Sequence, residues 1–222
     1  MMRLAAALDL SVAPLQPGTV AGRPYLLVTR YDRHFEESGP VRRLHQEDFC
    51  QALGIPPERK YQAEGGPTFR HSFDLLRRAA TRPAVEVLKL LDAAVFNVII
   101  GNADAHGKNF SLLYQNTEVT LAPLYDLLCT VAYPDLSPHF AMKVAKCATL
   151  EEIDNSAWSA FANDAGIAAP YVRQRVKALA ESTQHTVADV AERLGEEGLD
   201  REALTNLASL VASRAAQVSR TA

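Results

Sequence analysis

Four side chains that can do chemistry fall within six residues of each other: Asp104, His106, Lys108 and Asn109. Apolar runs flank them, Val95-Phe96-Asn97-Val98-Ile99-Ile100 before and Phe110-Ser111-Leu112-Leu113-Tyr114 after. Polar density of this kind between two buried elements is costly unless the groups face a cleft. A second acid, Asp126, follows a further short run, Val119-Thr120-Leu121. A carboxylate at Asp104 can accept the proton of an attacking hydroxyl. Asn109 and Asp126 offer hard oxygens of the kind that hold magnesium shared with phosphates. An ammonium at Lys108 can offset charge on a transferred phosphoryl group. An acid, an Asn after four intervening residues and a second acid past a hairpin is the order used in metal-assisted phosphoryl transfer.

Each residue also has a plainer use. Asp104 and Asn109 suit turns, Asp126 suits a helix N-cap ahead of Leu127-Leu128, and Lys108 suits a solvated loop. His106 is expected to orient the loop by hydrogen bonding, because Asp104 fills the acid–base role. A zinc site is excluded, since His106 has no partner at ligand spacing.

The elements around the loop must hold it still. Pro83 starts a helix through Ile100 in which Val85, Leu88, Leu91, Ala94, Val95, Val98 and Ile99 make a wide apolar stripe. Such a helix is buried and gives the loop a rigid base. Residues 110–114 and 119–121 read as a hairpin. Upstream, residues 2–10 read as a short helix, with Pro14, Pro17 and Gly18 making a loop after it. Residues 24–31 form a half-buried strand, residues 32–45 a charged loop, and Gln46–Leu53 a short helix stopped by Gly54 and Pro56-Pro57. Lys60–Pro67 is structureless, and Thr68–Thr81 is helical. Downstream, residues 139–146 read as a strand, and Thr149-Leu150-Glu151-Glu152 is a capping-box pattern. Helices follow near 154–165, 170–194 and 201–219. The fold class is mainly α with a small β component.

Composition is that of an ordinary globular protein: 222 residues, 48% hydrophobic and 22% charged. A net charge of −3 gives no electrostatic case for direct nucleic-acid or membrane binding. The three cysteines, Cys50, Cys129 and Cys147, lack CxxC spacing and read as free, buried thiols. No apolar run is long enough for a membrane span and no signal peptide is apparent, so a cytoplasmic protein is expected.

Four segments in order resemble one family: Leu27-Val28-Thr29-Arg30-Tyr31-Asp32-Arg33; Gln46 to Gly54 with Lys60-Tyr61-Gln62-Ala63-Glu64-Gly65-Gly66-Pro67; the Asp104 loop; and the Asp126 segment. Together they resemble the C-terminal part of the HipA-like serine/threonine kinases, the toxins of bacterial persistence toxin–antitoxin modules. The resemblance implies a protein-kinase-like C-lobe, with residues 1–45 a remnant of the small lobe and hinge and residues 46–222 the helical lobe. It implies ATP and Mg²⁺ as cofactors, Asp104 as catalytic base with Lys108 and His106 beside it, Asn109 and Asp126 as metal ligands, and Thr29 and Tyr31 on the adenine side. It implies a protein substrate, an aminoacyl-tRNA synthetase, and a HipB-like antitoxin partner. A Gly-rich phosphate loop and an upstream lysine are not in this sequence. Three readings therefore stand open: a truncated, weakly active kinase, a non-catalytic remnant or interaction module, and one half of a split kinase whose N-lobe is a separate chain.

Overall fold

The computed structural model describes residues 1–34 and 39–222, so part of the charged loop expected over 32–45 lies outside the described residues. Its elements run α1 Met2–Ala7, β1 Leu15–Val20, β2 Arg23–Val28, β3 Arg33–His34, β4 Arg42–Arg43, β5 His45–Asp48, α2 Phe49–Ala52, α3 Phe69–Ala79 and α4 Pro83–Ile100. Then come β6 Ser111–Gln115, β7 Glu118–Leu121, α5 Asn155–Ala165, α6 Ala169–Glu196 and α7 Arg201–Thr221. The fold is mainly helical with a small β component, as the sequence pattern requires.

α4 is the axis. Pro83 pre-sets its first turn, and Leu90, Leu91, Val95, Phe96, Ile99 and Ile100 are fully enclosed. Gly101 ends it with φ +71°, and a Cβ there would sit 2.3 Å from Val131 Cγ2 and 2.9 Å from Arg214 Nε. Only glycine meets both demands. α6 is tied to α4 by a two-pronged ion pair, Arg175 to Asp92 at 2.6 and 2.8 Å. α3 and α5 close the other side through aromatic edges: the Phe161 ring meets Phe69 at 5.3 Å and Phe73 at 5.7 Å.

The three-stranded sheet β5-β6-β7 is antiparallel throughout. It is fixed to α4 by Glu86, whose fully buried carboxylate accepts the Leu121 N–H at 3.0 Å and pairs with Lys89. An acid buried this way is tolerated because its oxygens are partnered.

Several sequence expectations are corrected. Gln46–Asp48 is strand, because it pairs with Ser111–Leu113, and helix begins only after Asp48, which caps it in a reciprocal box with Gln51. Asp is a better cap than a helix-interior residue. The segment around Pro17-Gly18 is not a loop but β1, paired with β2 across an Ala21-Gly22 turn in which both residues have positive φ. β2 is exposed along its whole length, not half-buried. Lys60–Pro67 contains a 3₁₀ turn over Gln62–Glu64. Residues 139–146 form no strand; Ala141 and Phe140 donate their N–H groups to Ala103 O and Ala148 O, so loop contacts absorb the bonds a sheet would use. Thr149 makes no side-chain cap; the helix start belongs to Asp154, which accepts the Ala157 N–H. α1 stops at Ala7, short of the expected Leu10. Cys147 is only partly buried.

Candidate active site

Beyond Gly101 the chain is held by two asparagines. Asn97 Nδ2 donates to Ala93 O at 2.9 Å, and its Oδ1 accepts from Asn102 Nδ2 at 2.8 Å. Asn102 Nδ2 also reaches the Asp126 carbonyl at 3.2 Å, while its Oδ1 accepts the Asp104 N–H at 3.3 Å. One buried side chain thus sets the spacing between the backbones of the two acids. Thr130 adds a second tie, accepting the Ala103 N–H at 2.8 Å and donating to Gly101 O at 3.1 Å. From the other side Arg214 of α7 covers the end of α4, donating to Val98 O at 2.9 Å and Ile99 O at 3.2 Å. A cation on those carbonyls also complements the helix dipole.

The loop then makes one 3₁₀ turn, Gly107–Asn109. Asn109 is buried, its Oδ1 accepting the His106 N–H at 3.0 Å and its Nδ2 donating to Asp126 Oδ2 at 2.5 Å. Asp126 has φ +57°, and residues 127–129 are not helical; the next helical turn, a 3₁₀ one, starts at Thr130 with Cys129 at its cap position. The N-cap use of Asp126 is therefore overturned. The backbone here turns left-handed so that the carboxylate faces Asn109 instead of the chain ahead of it. Tyr125, just before, is pinned by its hydroxyl to Lys108 O at 2.7 Å and Ser111 Oγ at 2.8 Å. Burial pushes its phenol well above the usual range, so it remains a neutral strut.

Asp104 itself keeps its carboxylate open, with a side chain 45% exposed. It borders a cavity of about 570 Å³ lined also by Tyr61, Glu64, Leu128, Thr130 and Leu136. His106 is 6% exposed, with its Nδ1 unpartnered and its Nε2 4.0 Å from Asp104 Oδ2, beyond hydrogen-bond range. Burial pushes its pKa down, opposed in part by Asp104. The expectation that its ring orients the loop by hydrogen bonding is corrected: the backbone N–H does so, and the ring packs under the Tyr61 edge at 5.4 Å. Lys108 has no carboxylate partner among the described residues, and its main chain is held by Tyr125.

Tyr31 reaches this assembly. Its ring stacks on Tyr125 at 6.0 Å and its hydroxyl donates to Gln46 Oε1 at 2.6 Å. Thr29 is exposed; its N–H donates to Pro14 O at 2.8 Å. The structure brings Asp104, Asn109 and Asp126 together and joins Tyr31 to them through Tyr125. Sequence reasoning missed Asn97, Asn102, Thr130 and Tyr125. The two asparagines carried a signal, an amide inside or just after an apolar run, whereas Thr130 and Tyr125 carried none.

No group of three or more His, Cys, Asp or Glu side chains among the described residues could hold a metal. The groups here of the kind a hard cation takes are the Asp126 carboxylate and Asn109 Oδ1, the latter accepting the His106 N–H while Nδ2 faces Asp126 Oδ2. No helix among the described residues is long and apolar enough to cross a membrane.

Residues 1–191 match the family model described as the HipA-like C-terminal domain. The chain is 56% identical over 215 residues to a Sinorhizobium fredii protein named "Putative kinase Y4mE", covering 97% of this chain and 51% of that protein. It is 32% identical over 155 residues to the serine/threonine-protein kinase toxin HipA of Shewanella oneidensis, covering 64% of this chain and 36% of that one. The solved complex of the Shewanella oneidensis MR-1 toxin–antitoxin system, HipA with HipB and operator DNA, superposes with a TM-score of 0.85 at 28% identity, over 98% of this chain and 52% of that chain. The Helicobacter pylori proinflammatory kinase CtkA, at 13% identity, shares the fold with a TM-score of 0.58, over 99% of this chain and 83% of that chain. The chain spans about half the length of Y4mE and of the HipA chain in that complex.

Proposed function

The chain belongs to the HipA-like C-terminal domain family, and from that premise we propose that it is the metal- and nucleotide-facing lobe of a serine/threonine protein kinase. The observation that carries this reading is the contact of the Asn109 carboxamide with the Asp126 carboxylate, on a loop where Asn102 fixes Asp104 relative to Asp126. Asn109 and Asp126, 17 residues apart in sequence, are in direct contact there.

On this reading the substrate hydroxyl oxygen bonds to the γ-phosphorus of ATP while its proton passes to Asp104. The bond from that phosphorus to the bridging oxygen breaks, and ADP leaves. Asn109 and Asp126 would hold Mg²⁺, which when bound supplies positive charge to the β- and γ-phosphate oxygens. Asn97, Asn102 and Thr130 keep the acids in place, so little reorganisation is needed at the moment of transfer. Tyr31, stacked on Tyr125, and Thr29 lie on the adenine side, and spacing nominates Lys108 for the cation on the transferred phosphate. Residues 1–45 belong to the small lobe and hinge, and residues 46–222 form the helical lobe. The HipA–HipB relative supports a toxin–antitoxin setting with a HipB-like partner, and the free thiols support a reducing cytoplasm.

The exposed hairpin favours a second reading, in which this lobe works with a separately supplied one. Tyr25, Leu26, Leu27 and Val28 are 41–59% exposed on β2, and an isolated two-stranded ribbon is at best marginally stable in water. A calorimetric titration of the chain with ATP, with and without Mg²⁺, tests the first reading. Magnesium-dependent binding is expected, and its absence refutes a working site.

A further inference from the structure

Lys60 stands against the Asp104 loop without belonging to it. Its main-chain oxygen accepts the Gly107 N–H at 3.4 Å, and its ammonium lies 4.8 Å from the centre of the Tyr61 ring, which packs edge-on against His106. The segment is pinned on its far side too. Gln62 donates its N–H to Ala141 O at 3.0 Å and accepts the Lys143 N–H at 2.8 Å, while the Ala141 N–H goes to Ala103 O at 2.7 Å. Ala141 thus joins the Lys60 segment to the residue preceding Asp104. The closure is tight: a Cβ at Gly107 would lie 2.5 Å from Pro67 Cγ and 3.0 Å from Cys50 Sγ.

The electrostatics follow the geometry. The Lys60 ammonium is pushed above the usual lysine range, first by its contact with Tyr61 and further by the charges of Asp104 and Asp126. His106, beside Asp104, feels Lys60 in turn. Lys60 nevertheless has no carboxylate within ion-pair distance among the described residues, so its charge is not quenched by either acid. The charge of Lys108 is felt at the Cys50 thiol.

A phosphoryl group in transfer between Asp104 and Asp126 would set three anionic oxygens beside two carboxylates. Positive charge must meet it from more than one side. Asn109 and Asp126 bring the metal side. We propose that Lys60 supplies the other, contacting the transferred phosphoryl group in the role that spacing alone gives to Lys108. This rests on the kinase reading. A lysine suits the task because its ammonium is a compact charge with three rotatable donors, which an arginine fork does not reproduce.

The test is calorimetric titration of the full chain with magnesium ATP and magnesium ADP, using Lys60→Gln, Lys60→Arg and Lys108→Gln, with thermal melts to verify folding. Losing one charge-assisted bond to the γ-phosphate should weaken ATP binding by Lys60→Gln roughly ten- to a hundredfold, and ADP binding less than about threefold. Lys60→Arg should recover part of the loss, and Lys108→Gln should lose less than Lys60→Gln. Wild-type ATP affinity in Lys60→Gln, equal losses for ATP and ADP, or a larger loss in Lys108→Gln would each overturn the assignment to Lys60 alone. A wild type that binds neither nucleotide would overturn the kinase reading, and this role with it.

Discussion

Replacing Asp126 by Asn is the sharpest perturbation of the site. The structure lets its effect on stability be separated from its effect on binding. The residue sits at φ +57°, a conformation Asn adopts about as readily as Asp, so the backbone is not strained. The Asp126 carbonyl keeps its bond from Asn102, since only the side chain changes. What is lost is the charge in the Asn109 Nδ2 to Asp126 Oδ2 bond at 2.5 Å. A bond to a charged group contributes about 1.5–3 kcal/mol and a neutral one about 0.5–1.5, so the expected loss is about 1 kcal/mol. Removing a negative charge that shares the site with Asp104 offsets part of it. Stability by chemical denaturation should therefore fall by no more than about 1 kcal/mol. Magnesium-dependent ATP affinity, measured by calorimetry, should fall tenfold or more, which is about 1.4 kcal/mol, because a hard anionic ligand has gone. Binding measured without magnesium should hardly change. Equal affinity of wild type and Asp126→Asn for magnesium ATP would refute the reasoning, and no helix-cap role remains to explain the residue.

Three further outcomes are expected. Arg214→Ala leaves the Val98 and Ile99 carbonyls without their guanidinium partner; stability should drop by about 1–3 kcal/mol, with faster amide exchange over residues 101–110, and unchanged exchange there would count against α7 as a support of the loop. Asp32 is held below the usual carboxylate range by its bonds to Arg30 and then Arg33. Its folded pKa lies under the unfolded value of about 3.9, so its contribution is complete above that value and is lost as pH falls through the folded one. Asp32→Asn should accordingly be destabilised near neutrality and converge on wild type below about pH 4 in acid unfolding curves; a gap that stays constant would sink the argument. Finally, the 222-residue chain assayed alone should be a poor kinase. Absence of a preorganised donor costs about a hundred- to a thousandfold in rate, and this sequence has no Gly-rich phosphate loop, so autophosphorylation near 1 s⁻¹, ordinary for a kinase, would refute the estimate.

What the sequence alone determined was whatever is written along the chain. The apolar stripe of residues 83–100 announced a buried helix, Pro83 marked its start, and the two runs after Asn109 announced the hairpin. The spacing of Asp104, Asn109 and Asp126 singled out the residues that the fold brings together, because a loop and a short hairpin leave them little freedom to separate. Tertiary structure decided what depends on partners far away in sequence. Gln46–Asp48 became strand rather than helix because Ser111–Leu113 lies beside it. Residues 139–146 gave up strand geometry to bond Ala103 and Ala148. Asp126 ceased to be a cap candidate once Asn102 and Asn109 held it in a left-handed turn. Lys60, chemically mute in the sequence, acquired its setting from Gly107, Tyr61 and the two acids. Periodicity and spacing report only the chain's own repeat. A hydrogen bond or a charge contact between segments separated in sequence leaves no local pattern to read until packing has closed the distance.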